Sequence, residues 1–551
     1  MSIRRNWRGR VFFLLLLSLS LYLVLVWQHQ LPPLSAQSEQ TITNLDKTTP
    51  HAPSNYSYTP NDLITGSTTN CRIGAAVSGD QIPWLSTIGA GWYITFGTGT
   101  TIVPDVEFVQ LVNIYQNKDG SVYLPTYRAV PAMTDSQLGA AVDANPGSLW
   151  IIGNEMERIG QGETFPEIYA IAFHDVAYFI KQRDPSAKIA STALVEVTPA
   201  RLAYLELVWD YYFATFGEPM PVDVWTFHLY ILPEVRPDGT TPNNIASTPL
   251  GVGQPPNPPF SDWRRESGGN VNLCTQDSVY CYAEHTDMIV FDEQIRDMRQ
   301  WMKDHGQQDK PLLLTEFSVL YPYIQDPGGT CFVQDEYGQC FTPQRVSDYL
   351  QTTFDYLNGP ASVSADLGYP SDGGRMVQQW LWYKLWVNGA GTASNLLVDD
   401  YATYSPGDPN ALTIIGERYR DYTAAHPLQA NLFPYQVGFS EVSNSAVDIH
   451  VSVMNNGNTA TATGITVGVY ADPDHNTLIG VANLGSVDGC ARQELTATVR
   501  WDNLPPGQHT FYLAIDPANT ISETNEDDNS VTGTVIISGQ KIYLPQLRTG
   551  Y

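Results

Sequence analysis

The chain has 551 residues, with 57 acidic and 29 basic side chains and a formal net charge of −28. That balance excludes nucleic acid and anionic membrane surfaces as principal partners, because both repel an acidic protein. Six cysteines are too few for a disulfide-built scaffold, and no Cys or His spacing suits a structural metal, so no metal or other cofactor is expected.

Arg4, Arg5, Arg8 and Arg10 precede an apolar run over residues 11–27, followed by Leu34-Ser-Ala36. Residues 1–36 therefore read as a signal peptide or an N-terminal membrane anchor. Either one places the remainder outside the cell, so an extracellular or cell-surface protein is expected. Residues 37–70 are Ser/Thr/Pro-rich without apolar periodicity and read as a flexible linker.

From 71 to 430 strand-like and helix-like segments alternate. Strands are predicted at 72–77, 91–96, 108–115, 148–155, 188–194, 222–230, 311–317 and 376–386. Amphipathic helices are predicted at 168–183, 199–216, 286–304 and 343–357. Eight strands interleaved with helices predict an α/β fold, a (β/α)8 TIM barrel, whose first three units carry short helices or none. Irregular inserts at 232–280 and 321–341 would lie as loops on the C-terminal face, where barrel enzymes build their clefts. Each insert carries or adjoins a close cysteine pair, Cys274 with Cys281 and Cys331 with Cys340, expected to close a disulfide loop. Cys71 and Cys490 are left over in different regions.

Residues 437–539 change character. Short alternating runs at 446–453, 464–470, 494–501, 509–515 and 530–537 are separated by turn clusters such as Asn455-Asn-Gly457, which predicts a small all-β immunoglobulin-like sandwich. Residues 540–551 form a C-terminal tail. The stretches Val451-Ser-Val-Met-Asn-Asn-Gly457 and Ile521-Ser-Glu-Thr-Asn-Glu-Asp-Asp-Asn529 resemble the CARDB family, the cell-adhesion-related domain found in bacteria.

The chemistry is concentrated in two apolar runs that end in an acid, Trp150-Ile-Ile-Gly-Asn154-Glu155 and Pro311-Leu-Leu-Leu-Thr-Glu316. A carboxylate at the C-terminal tip of a buried parallel strand points into a barrel mouth. Two of them supply the proton donor and the nucleophile of a retaining glycosidase. Glu157 competes with Glu155, but beyond the strand end it is expected to face the loop. Asn154 is placed to bond a sugar hydroxyl. His228 and Tyr230 share a strand face in Phe227-His228-Leu229-Tyr230, where either could hold the substrate or a carboxylate. Trp380 and Trp382 in the eighth strand offer indole faces for a pyranose ring, with packing in the core as the alternative.

These motifs resemble clan A glycoside hydrolases. The resemblance implies Glu155 as acid/base, Asn154 as a substrate contact, Glu316 as nucleophile and Tyr230 as the aromatic of strand six. Many members carry an arginine near the end of strand two, and residues 91–96 contain none. The expected protein is an exported retaining glycosidase cleaving β-linked poly- or oligosaccharides, with cell-envelope association through the N-terminal segment or the C-terminal module. The alternative is a catalytically inactive surface protein that binds carbohydrate.

Overall fold

The computed structural model describes residues 69–100, 103–232, 285–320, 342–389 and 391–538. The expected export segment, most of the linker, the inserts with Cys274, Cys281, Cys331 and Cys340, and the tail lie outside the described residues. Among the described residues, no helix is long and apolar enough to cross a membrane.

The N-terminal part is a mixed α/β, barrel-like layer. Its strands are β1 (Ile73–Ala76), β2 (Trp92–Ile94), β3 (Glu107–Phe108), β4 (Gln110–Asp119), β5 (Val122–Val130), β6 (Leu149–Ile152), β7 (Lys188–Ala190), β8 (Trp225–His228), β9 (Leu312–Phe317) and β10 (Gln379–Trp382). One sheet is parallel, in the order β3-β2-β1-β10-β9-β8. The other runs β5-β4-β6-β7, with only β5 antiparallel. The two sheets meet at both edges. β3 passes into β4 through Val109, whose N–H donates to Tyr93 O. On the far side Asp223 and Val224 donate to Ile189 O, and Ser191 donates to Val224 O.

The inner strands are apolar on both faces, as parallel strands covered by helices must be. Ala76, Trp92, Ile94, Leu111, Ile151, Leu313 and Leu381 form an inner cluster. The opposite faces pack against the helices α1 (Pro166–Arg183), α2 (Pro199–Phe216), α3 (Met288–Asp304), α4 (Pro343–Asn358) and α5 (Ile414–Ala425). α2 and α4 begin at a proline behind a threonine cap, Thr198 accepting from Arg201 N and Thr342 from Arg345 N. After β4 the chain builds the antiparallel strand β5, which the sequence reading missed, and only then a short helical segment at 135–144.

The C-terminal part is all-β: β11 (Leu432–Ser443), β12 (Ala446–Asn455), β13 (Thr466–Tyr470), β14 (Leu478–Asn483), β15 (Leu495–Trp501), β16 (Gly507–Ile515) and β17 (Ser530–Ile537). Antiparallel sheets β11-β12-β15 and β14-β13-β16-β17 enclose a core that includes Leu432, Val447, Ile449, Val467, Leu513 and Val535. Asn455 of the Asn-Asn-Gly turn is buried. It accepts from Asn431 N and Gly457 N and donates to Thr459 O and Val487 O, so this motif fastens loops.

The two leftover cysteines pair with each other. Cys71 and Cys490, 419 residues apart, form a disulfide that ties the entry of β1 to the sandwich. Beside it the buried Arg72 makes a bidentate pair with Asp372 at 2.9 and 2.8 Å, and donates to Gln378 O and, in the sandwich, Asn456 O. Glu107 pairs with Arg492 across the same junction. Arg72→Ala leaves the Asp372 carboxylate buried without its cation, and is expected to cost about 3–5 kcal/mol. Urea unfolding checks this; a loss below about 1 kcal/mol, the level of an exposed pair, contradicts it.

Candidate active site

Glu155 and Glu316 converge at the C-terminal ends of β6 and β9, and each reaches the site by a backbone irregularity. Behind β6, Gly153 has φ +85°, and a Cβ there would lie 2.6 Å from Met156 Sδ. The chain turns at this glycine, and Glu155 itself adopts φ +47°. A left-handed backbone at a buried charged residue is strain of the kind found at functional sites.

In β9, strict alternation from the inward Leu313 would turn Glu316 outward. A β-bulge intervenes. Phe227 pairs with Leu314, but His228 pairs with Glu316, and on the other side Trp380 pairs with Leu314 while Trp382 pairs with Phe317. The extra residue in β9 resets the alternation and brings Glu316 level with His228.

His228 stands between the two acids. Its Nδ1 lies 3.0 Å from Glu155 Oε1, and its Nε2 lies 3.4 Å from Glu316 Oε1. Tyr230 donates its hydroxyl to Glu316 Oε2 at 2.8 Å, and Arg158 Nη1 donates to Glu155 Oε2 at 3.0 Å. One ligand atom from each of Glu155, His228 and Glu316 falls within 4.8 Å of the others. Glu155, His228, Tyr230 and Glu316 are all at least 96 % buried. The three groups have metal-ligand spacing, but Arg158 already gives Glu155 a positive charge, which opposes a cation there.

Burial works against a charge on Glu155, but Arg158 and the His228 hydrogen bond prevail, bringing its pKa from an ordinary 4.5 down to about 2. At Glu316 burial dominates. With Glu155 adding to the rise, it pushes the pKa up to about 7 against the pull of His228, Tyr230 and Lys384. Burial disfavours a charged His228, and Glu316 with the Glu155 bond overcomes it, so its pKa is raised.

Asn154 is half-buried beside Glu155. Two sequence expectations are corrected. Glu157 does not face the loop: it is fully buried, pairs with Arg201 of α2 at 2.9 Å and accepts from Val195 N. Trp380 and Trp382 do not line the cleft. They sit on the helix-facing side of β10, fully buried against Phe354, with Trp382 Nε1 donating to Ser394 O. Leu381 takes the inward face, and the aromatic at the mouth is Tyr383, its ring 6.3 Å from Tyr230 and 6.1 Å from Phe96. Arg158, Tyr383 and Lys384 escaped the sequence reading. Their only signal was position, Arg158 three residues after Glu155 and the other two directly behind β10.

Residues 435–533 match the CARDB family. No curated protein matches the chain. In three dimensions the chain is similar to a GH128 (subgroup II) endo-beta-1,3-glucanase from Pseudomonas viridiflava, at 15% identity over 64% of this chain and 98% of that one, with a TM-score of 0.36. It is similar to a GH128 (subgroup I) endo-beta-1,3-glucanase from Amycolatopsis mediterranei in complex with laminaritriose, at 16% identity over 64% and 99%, with a TM-score of 0.35. It is also similar to a CARDB domain from Pyrococcus furiosus in complex with di-metal ions, at 23% identity over 20% and 90%, with a TM-score of 0.17.

The raised pKa of Glu316 has a consequence for stability. Its protonated form favours the fold; that contribution is complete below the unfolded value near 4.5 and is lost as pH rises through about 7. Glu316→Gln cannot ionise, so its unfolding midpoint should gain several degrees on the wild type between about pH 5 and about pH 8. Midpoints that run parallel across that range contradict the assignment.

Proposed function

We propose that residues 71–430 form a (β/α)8 glycosidase that cleaves β-linked glycans with net retention. The observation that carries this reading is the pair of buried acids with carboxylate oxygens within 4.8 Å of each other. Direct displacement uses carboxyl groups about 5–5.5 Å apart, whereas inversion needs about 6.5–9.5 Å to seat a water between them. The backbone hydrogen bonds that join the two sheets on both sides support the barrel. The N-terminal export pattern and the Cys71–Cys490 disulfide support an exported protein.

In the mechanism Glu316 attacks the anomeric carbon as the bond to the leaving oxygen breaks, and that oxygen takes the Glu155 proton. Glu155 then accepts a proton from water. The resulting hydroxide attacks the same carbon and frees Glu316. The reaction needs its proton on Glu155, while the free protein favours one near Glu316. His228 connects them: the Glu316 proton passes to Nε2 as the Nδ1 proton passes to Glu155, with no change in net charge. Tyr230 orients the nucleophile, and Asn154 lies beside the donor, in reach of a sugar hydroxyl.

One observation favours a second reading. Arg158 holds Glu155 anionic, which suits a nucleophile, so the two acids would exchange roles. A fluoro-glycoside that traps the nucleophile, followed by peptide mapping, is expected to label Glu316; a label on Glu155 supports the exchange. Glu155→Gln and Glu316→Gln are each expected to reduce turnover of β-glycans by at least about a thousandfold, measured as reducing-end release. Full activity in Glu316→Gln defeats the proposal, and binding of glycan without any release by the wild type favours a carbohydrate-binding surface protein. Tyr230→Phe removes a bond that stabilises ionised Glu316, so the acid limb of the pH–rate profile should move to higher pH. An unmoved limb would separate Tyr230 from the nucleophile.

A further inference from the structure

The β4–β5 hairpin carries a face that the proposed mechanism does not use. Val109 and Leu111 belong to the inner cluster, and Asn113, Tyr115 and Asn117 continue the same strand face beyond the sheet. Asn113 Nδ2 donates to Phe96 O, whose ring stacks edge-on against Tyr383 at the mouth. Across the hairpin Tyr115 faces Arg128, and Asn117 donates to Thr126 Oγ1. Tyr115 and Asn117 of this face, Thr126 and Arg128 across the hairpin, and the turn at Gly162 and Glu163 line an open cavity of about 610 Å³. Gly162 N donates to the carbonyl of Glu155, so the cavity wall is bonded to the catalytic turn.

The charges in this cavity are unequal. Lys118 is neutralised by Glu163 at 2.6 Å. Arg128 lies over the Tyr115 ring, its guanidinium carbon 4.2 Å from the centroid, and has no acid partner among the described residues. An arginine without an acid is conspicuous in a chain of net charge −28. The stacked ring limits the guanidinium's motion while its N–H edge stays available, and that planar fork fits a carboxylate.

We propose that the hairpin face is a distal subsite for a carboxylated sugar unit, with Arg128 as the carboxylate receptor and Tyr115 as the platform that positions it. The substrate would then be an acidic glycan, one carrying uronic acid residues. This rests on the glycosidase reading and deepens it.

The probes are β-linked oligoglucuronates and the neutral oligoglucosides obtained by reducing their carboxyl groups, titrated calorimetrically against the full chain carrying Glu316→Gln. The acidic oligomer is expected to bind more tightly, and Arg128→Gln in that background to weaken it by roughly tenfold or more while leaving the neutral oligomer unchanged. Arg128→Lys should recover only part of the loss, since an ammonium lacks the fork. Equal binding of both oligomers, or an equal effect of Arg128→Gln on both, overturns the proposal. Circular dichroism confirms that the variants fold, and the wild-type chain should hydrolyse a short neutral aryl β-glycoside. That activity separates failure of the subsite from failure of the glycosidase reading, which turns on Glu316.

Discussion

Two carboxylates buried within hydrogen-bonding reach of one imidazole cannot all take the charge they would carry in water. Bringing Glu155 and Glu316 together without a cation would leave two desolvated negative charges facing each other. His228 lies between them and Arg158 backs one of them, so the cluster divides into an anion held by arginine and an acid held by burial. The neighbouring features serve this arrangement. The bulge in β9 aims Glu316, the left-handed turn behind β6 aims Glu155, and Tyr230 fixes the orientation of the Glu316 carboxylate.

A second buried network lies behind the first. Glu157 and Glu196 flank Arg201 of α2, all fully buried, and accept from Val195 N and Leu232 N. Removing any one member would strand a charge, so the loops after β6, β7 and β8 are held to a single arrangement. The C-terminal sandwich is fastened at the other end of the strands. Cys71, Arg72 and Glu107 lie at the entries of β1 and β3, whereas the acids lie at strand exits. Among the described residues, these ties lie at the ends of the strands opposite the two acids.

Much of the fold was legible in the sequence because its parallel strands are covered on both faces. The inner strands other than β3 and β4 fall inside the runs read from the chain, β4 running on to Asp119 past the predicted end at 115. The two strand-end glutamates stood out as charges closing such runs. What escaped depended on geometry that residue types do not encode. Nothing at Thr315 announces a bulge, yet without it Glu316 would point at the helices. Trp380 and Trp382 alternate correctly, but alternation does not say which face is inward, and the helix side won because α4 presents Phe354. The strand β5 was obscured by Pro125, which an edge strand tolerates. Cys71 and Cys490 were left unpaired because local spacing says nothing about partners 419 residues apart.

Direct attack by one buried carboxylate at a sugar carbon requires that no water be seated between the two acids. The anomeric form of the first product reports this directly. Proton NMR during hydrolysis of a β-glycan should show the β-anomer forming first and the α-anomer only later, by mutarotation. Initial release of the α-anomer would mean that water, not a carboxylate, makes the first attack, and would contradict the account.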